Sequence, residues 1–519
     1  MKHEAEILER HHKLSRNVSI ILGILSVVIV LVLIGFALLY ISYRTSVDNY
    51  MSIIALNKKE TDSSLVKGLV LPRSTSNIIK PLNSQNLVSI VAQNQPAVVR
   101  ILTVRCADVV LRLDSSIEAR NVCIAGVGSG SIISSDGYIS TNGHVVVLSD
   151  NSLVTQSISS MSEYSQILKY LYSKQVITVG EANSYLGALA DADKSQNAET
   201  AITKLIPSSQ ISITNQETSY AVQLSNEPIR LDTNQDRIIV GLSDSIKEAK
   251  LIDRDFNLES SELSLAQGSG FSSSDVALLK IDGEYPYINL GALDGLNSGD
   301  QLIAIGFPAF VDGSVDTSQW QTVPSVTRGI IKKISSDSVN SNRKLVLSDV
   351  QVAQGSSGGP ALDSNGYQIG LNTYANIECA DLMCFGDATI RDIADIKSLL
   401  ARNNIVLKKD SDINEHWYSS LKSYNEGDLV SALRGFEWIE GHYPNNYLAT
   451  SLAVTARDQI GGSADISPRF ALLSNIYQLA IIILSVFVSL VAISISLIRY
   501  INIRHRRLLV QFENENISN

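Results

Sequence analysis

The stretch QVAQGSSGGPAL, Gln351 to Leu362, constrains this chain more than any other. At its centre stand Gly355, Ser356, Ser357, Gly358, Gly359 and Pro360. Glycines around a serine permit a tight turn that a Cβ would obstruct. Such a turn exposes the Ser357 hydroxyl and gathers neighbouring N–H groups toward one point. Gly355, Ser356 and Ser357 are the oxyanion-hole candidates, with the N–H groups of Gly355 and Ser357 aimed best. A serine hydroxyl becomes a nucleophile only with a base to take its proton and donors to receive the oxyanion. An ordinary Gly/Ser turn between two strands would read the same way, so the rest of the chain has to decide.

From Leu87 the sequence runs in short β-rich pieces: AVVRILTV, GSGSIISS and GYISTNGHVVV. Strands of this length bounded by Gly, Asn and Asp point to an all-β sandwich or barrel. Ser135-Asp136-Gly137 is a hairpin signal between two of them. TNGHVV places His144 at a strand end, and His144 is the only histidine between residues 13 and 415. A histidine base for Ser357 in this region must therefore be His144. Residues 152–215 break the pattern with apolar spacings of three and four, which predict a helical insertion. Strands resume near Tyr220, and SSSDVALLKI sets Asp275 at the start of an apolar run. That acid either caps a turn or is a buried carboxylate orienting a histidine. A second β-rich block starts near Gly291 and carries Ser357 between two of its strands.

Two apolar segments, 18–43 and 470–498, carry no charge. Each exceeds the roughly 20 residues that span a bilayer. Lys2, Arg10, Lys13 and Arg16 precede the first, and Arg499, Arg504, Arg506 and Arg507 follow the second. The expectation from these flanks is a two-pass membrane protein with both termini, 1–17 and 499–519, cytoplasmic and the middle outside. The lipid bilayer is then a partner. Cys106, Cys123, Cys379 and Cys384 all lie in that middle part, which suggests two disulfides. Pairing of nearest neighbours is the simplest of three connectivities. No CxxC pair or histidine cluster accompanies them, so a metal site is not expected. The net charge of −10 and the lack of a basic stripe argue against nucleic acid as a partner.

Residues 44–86, rich in Ser and Asn, read as a linker. In 410–465, Trp417, Tyr424, Gly427, Ala432, Phe436 and Pro444 resemble a single tetratricopeptide helical hairpin. One such repeat is not stable alone. It is expected to rest on the β domain or to offer a site for a protein partner.

GSGSIISSDGYISTNGHVV, SDVALLKI, GDQLIAIGFP and QGSSGGPAL occur in that order. Together they resemble the HtrA/Deg branch of trypsin-like serine proteases over about residues 87–400. The resemblance implies a mainly β, chymotrypsin-like fold of two six-stranded antiparallel barrels, 87–290 and 291–400. It implies His144 as general base, Asp275 as its orienting carboxylate and Ser357 as nucleophile, with no cofactor and with polypeptides as substrates. A homo-oligomer is compatible with it. Gln351, Val352 and Ala353, with Tyr374 and Ala375 on a later strand, stand where such proteases build the primary specificity wall. No acid is among them, which disfavours a pocket for basic side chains. The chain departs from the family at Ser356, where Asn is usual, in its insertion after His144, and in lacking a PDZ domain. The competing reading is a protease fold kept as a scaffold without chemistry.

Overall fold

Short Val- and Ile-rich strands cannot each bury their apolar faces alone, and closing a sheet on itself removes its edges. The computed structural model describes residues 84–234, 237–258, 273–308, 322–336, 343–375, 378–380, 383–385 and 387–467, with scattered positions nearer both ends. The first block forms β1 (Val98–Arg112), β2 (Ser116–Ile132), β3 (Tyr138–Thr141), β4 (Ile211–Gln223), β5 (Leu231–Asn234), β6 (Arg237–Val240), β7 (Ile246–Asp255) and β8 (Val276–Lys280). Six of these close into a barrel in the order β1-β2-β3-β8-β7-β4, while β5 and β6 make a separate ribbon. The second block forms β9 (Gln301–Gly306), β10 (Ser325–Ser336), β11 (Lys344–Gln351), β12 (Pro360–Leu362), β13 (Gln368–Ala375), β14 (Glu378–Ala380), β15 (Met383–Phe385) and β16 (Asp387–Asp392). Here the barrel order is β10-β11-β16-β13-β12-β9, and β14 pairs only with β15.

The seam between the barrels is polar at its centre. Ser131 Oγ lies 2.8 Å from Ser140 Oγ and 2.8 Å from Oε1 of Gln368, and none of the three residues is exposed. The connecting segment crosses with them: the Ile288 N–H donates to Ile132 O and the Gln368 N–H to Asn289 O, both at 2.8 Å. Buried polar groups satisfied in this way fix one relative placement of the two barrels, because any slip leaves donors unpaired.

Helix α1 (Ser84–Asn94) precedes β1, and the short α2 (Gly143–Val146) follows β3. The insertion comes next as α3 (Asp150–Ser157), α4 (Met161–Ser173), α5 (Val179–Leu189) and α6 (Ser195–Lys204). Capping boxes start two of these helices, Ser160 with Glu163 and Thr178 with Glu181. The helices begin slightly before the expected residue 152. The expected end at 215 is overrun by β4, which starts at Ile211 and pairs with the outer part of β1, Ile211 opposite Leu111. The reason is that β1 and β2 run on past the barrel as a long hairpin, with Arg112 opposite Ser116. Its apolar residues Val109, Leu111, Ile117 and Val122 share one core with Leu153, Ile167, Leu168, Leu171, Leu189 and Ile202 of the helices. Cys106 and Cys123, opposite each other in this hairpin, form a disulfide. Cys379 and Cys384 are opposite each other in the β14–β15 pair; their side chains lie outside the described residues.

After β16, α7 (Ile393–Arg402) packs Ile396, Leu399 and Leu400 against the barrels. Helices α8 (Asp412–Glu426), α9 (Leu429–His442) and α10 (Tyr447–Gln459) follow. The two-helix expectation therefore misses α10. The chain divides into two compact units, residues 73–421 with 434–453, and residues 1–72 with 422–433 and 454–519. Within the first, the Trp417 indole is fully buried beside Phe436 at 5.7 Å and donates to Ala92 O at 3.0 Å. Within the second, the Ile466 N–H donates to Gly427 O at 2.9 Å.

The expectation of two membrane spans is corrected. A span needs about 20 consecutive apolar helical residues. Among the described residues no helix is long and apolar enough to cross a membrane, and the longest described helix, α8, has 15 residues. The two-pass placement with cytoplasmic termini falls with it. Most of 18–43 and 470–498, and all but the last three residues of the expected linker, lie outside the described residues.

The shared core of insertion and hairpin yields a prediction. Ile167→Ala removes a fully buried side chain and should cost about 2–5 kcal/mol locally. Hydrogen exchange should then speed up in α3–α6 and the outer β1–β2 hairpin while β9–β13 keep their protection.

Candidate active site

The β3 strand delivers Thr141 and Asn142 into the seam, and the chain then turns into the single turn of α2, which carries His144. No side chain fits at Gly143, because a Cβ there would stand 2.2 Å from Phe256 Cβ. Asp275 stands just before β8, fully buried, in the left-handed region at φ 53°. That conformation is uncommon for a residue with a Cβ, and hydrogen bonds hold it. Asn142 Nδ2 donates to Asp275 O at 2.8 Å, and the preceding Ser274 N–H donates to Asp255 Oδ2 at 3.2 Å.

Asp275 grips His144 twice. Its Oδ1 accepts from the His144 N–H and its Oδ2 accepts from ring Nδ1, each at 2.9 Å. The second contact assigns the ring proton to Nδ1 and leaves Nε2 as the basic nitrogen. Burial pushes the imidazole pKa down, but the Asp275 charge and hydrogen bond outweigh it and hold the value above the ordinary 6.5. The His144 side chain is still 37% exposed, so the ring is both fixed and accessible.

The serine turn comes from the other barrel, between β11 and β12. Gly355 and Gly358 adopt φ 89° and 85°. At Gly358 a Cβ would also stand 2.2 Å from both Ser129 O and Thr141 Oγ1. Ser129 on β2 clamps this turn: its Oγ donates to Gly355 O at 2.7 Å and its N–H to Ser357 O at 2.8 Å. The same Oγ accepts the Phe307 N–H at 2.8 Å. Among the described residues the N–H groups of Gly355 and Ser357 have no acceptor, as donors awaiting an oxyanion require. The Ser356 N–H does not join them. It donates to Ala353 O at 2.9 Å, which takes Ser356 out of the expected set of three. The Ser357 hydroxyl donates to Thr373 O at 2.9 Å.

Of the expected specificity wall, Gln351, Val352 and Ala353 line a depression of about 160 Å³ together with Ala304, Thr327 and Asn372. Tyr374 and Ala375 are placed in β13 opposite Thr389 and Ala388, and their side chains lie outside the described residues. Sequence reasoning missed Ser129, Asn142 and Thr373. The first two stand in GSGSI and TNGH, stretches already singled out, and a hydroxyl and an amide there were the available signal. Thr373 carried none.

Residues 128–371 match the family described as trypsin-like peptidase domain. The chain is 30% identical over 213 residues to a probable periplasmic serine endoprotease DegP-like of Pseudomonas putida (strain W619), covering 40% of this chain and 37% of that protein. It is 32% identical over 140 residues to protease Do-like 5, chloroplastic, of Arabidopsis thaliana, covering 24% of this chain and 41% of that one. The chain thus spans well under half the length of these relatives. The crystal structure of Deg5 aligns over 61% of this chain and 93% of its own at 17% identity and a TM-score of 0.30.

The doubly bonded pair predicts a histidine titration. In the intact chain His144 should titrate above 6.5, and Asp275→Asn should bring it down. Because the folded value is raised, the pair adds stability below about pH 6.5 that is lost as pH rises through the folded pKa. Histidine ring NMR read with pH checks both, and a His144 signal titrating below 6.5 in the unaltered chain would contradict the arrangement.

Proposed function

Starting from a chain that carries a trypsin-like serine peptidase domain of the HtrA/Deg kind, we propose that it is a serine endopeptidase acting on unfolded or exported polypeptides. His144, Asp275 and Ser357 carry the chemistry. The observation that supports this most directly is the 2.9 Å contact of Asp275 with His144 Nδ1, which keeps Nε2 basic on the side open to solvent. Ser357 first turns its hydroxyl from Thr373 O to His144 Nε2, a rotamer change fast on the scale of turnover. His144 takes the proton as Oγ attacks the peptide carbonyl, and the N–H groups of Gly355 and Ser357 receive the developing oxyanion. His144 then hands its proton to the leaving amine. Water, activated by the same imidazole, releases the acyl group. Asp275 fixes the tautomer and stabilises the imidazolium throughout.

The depression beside Ser356 is small and carries no charged side chain. It suits a small or medium apolar side chain just before the scissile bond. The scaffold reading finds one point in its favour, the hydroxyl bonded to Thr373 O. The Asp275 contact to His144 Nδ1, which sets the tautomer a general base needs, favours the enzyme.

On unfolded casein, Ser357→Ala should lower kcat by about 10⁶ and Asp275→Asn by about 10⁴. Equal cleavage by the full chain with and without the Ser357 hydroxyl would refute the assignment.

A further inference from the structure

A second, larger cavity of about 700 Å³ opens beside His144 on the first barrel. One wall continues from the base itself. It includes Val146, two residues beyond His144, and Phe256, whose ring stands edge-on to the imidazole at 6.3 Å. Another wall is one face of β4, where Gln216, Thr218 and Tyr220 alternate inward. Two arginines border it, Arg105 and Arg254.

The two arginines differ in what remains available. Arg105 donates to Leu148 O at 2.6 Å, to Asp150 Oδ1 at 2.5 Å and to Gln216 Oε1 at 2.7 Å. Its charge is balanced and it holds the insertion's first helix to the barrel. The Arg254 guanidinium has no acceptor among the described residues. The acids next to it in sequence do not neutralise it: Asp253 pairs with Arg402 at 2.6 Å and Asp255 with Arg343 at 3.1 Å. Burial raises the pKa of the Tyr220 phenol in the cavity, and the Arg254 charge acts against that rise. Among the described residues, with Arg105 and Asp150 balanced, the cavity holds one uncompensated positive charge in a chain whose net charge is −10.

We propose that this cavity takes a carboxylate of the polypeptide being cut, and that Arg254 reads it. A planar guanidinium offers two parallel donors to a carboxylate, and the Thr218 hydroxyl stands on the neighbouring wall as a further donor. The carboxylate comes from an acidic side chain near the scissile bond or from the chain's own C-terminus. The inference rests on the peptidase reading and adds to it a second recognition point on the side of the base.

The test uses the full chain and peptides sharing one cleavable core. One set is neutral with an amidated end. In a second, Glu is walked through the positions either side of the scissile bond. A third is neutral with a free C-terminal carboxylate. At least one acidic set should be cut with a kcat/KM about tenfold above the neutral set, mostly through KM. Arg254→Gln should erase that ratio and Arg254→Lys should keep only part of it, since an ammonium keeps the charge but not the two parallel donors. The ratio should also shrink at about 0.5 M salt, where exposed charges are screened. The second and third sets tell side chain from terminus. No acidic preference, or a preference unchanged in Arg254→Gln, overturns the proposal. Absence of any cleavage would count against the peptidase reading alone. Binding of a labelled acidic peptide to the Ser357→Ala chain would then decide the cavity: loss on Arg254→Gln upholds it, and equal binding overturns it.

Discussion

Ser129 is the point on which the two halves of this domain depend. One hydroxyl and one N–H from the first barrel hold Gly355 O and Ser357 O of the second, and the hydroxyl also accepts from Phe307 at the end of β9. A hydroxyl has one proton and two lone pairs, and here it joins the serine turn to both barrels at once. The clamp fixes the peptide planes that follow Gly355 and Ser357, and among the described residues the N–H groups of these two residues have no acceptor. The glycine at 358 follows from the same closeness, since a side chain there would displace either Ser129 or Thr141.

The first barrel solves the matching problem for the base. Asn142 bridges the loop of Asp275 and the Thr373 hydroxyl, at 2.8 and 3.1 Å. Thr373 belongs to β13, the strand whose carbonyl also holds the Ser357 hydroxyl. One buried amide therefore ties the carboxylate loop of one barrel to the strand beside the nucleophile in the other. A residue with a Cβ in the left-handed region stores local strain, and at Asp275 that strain is offset by bonds to its carbonyl, its carboxylate and its neighbour Ser274. Fixed placement of groups that are to react is a large part of what an enzyme site supplies to rate.

The barrels, the insertion and the residues of the His–Asp pair were legible in the sequence because each is a local signal. Short β-rich runs mark strands, apolar spacings of three and four mark the helices of the insertion, and a lone His144 leaves no rival base. What was not legible depends on partners far along the chain. The role of Ser129 comes from contacts 178 to 228 residues away. Ser356 looked like a third oxyanion donor because its N–H belongs to the same turn, and only the fold shows that Ala353 takes it. The end of the insertion was misread at 215 because the outer half of β4, ISITNQETS, is too polar to announce a strand; it is ordered by pairing with β1. The apolar segments 18–43 and 470–498 satisfied the length rule for spans. Composition alone does not establish a continuous helix, and none of sufficient length stands among the described residues.

The insertion raises a question of attachment that the core answers. A helical body placed directly after His144 could be expected to move with it and disturb its pairing with Asp275. Here its helices share their apolar core with the outer β1–β2 hairpin, and Arg105 fastens the start of α3 to β1 and β4. The body is therefore anchored to three strands of the first barrel and joins the turn that carries His144 through residues 147–149. The strands run on beyond the barrel through register shifts in β1, between Ala107 and Val109 against β2 and between Cys106 and Asp108 against β4. Within this one domain the seam holds the His144–Asp275 pair, while Arg105 joins the start of the insertion to a polar cavity that β4 and the first residues of α3 both line.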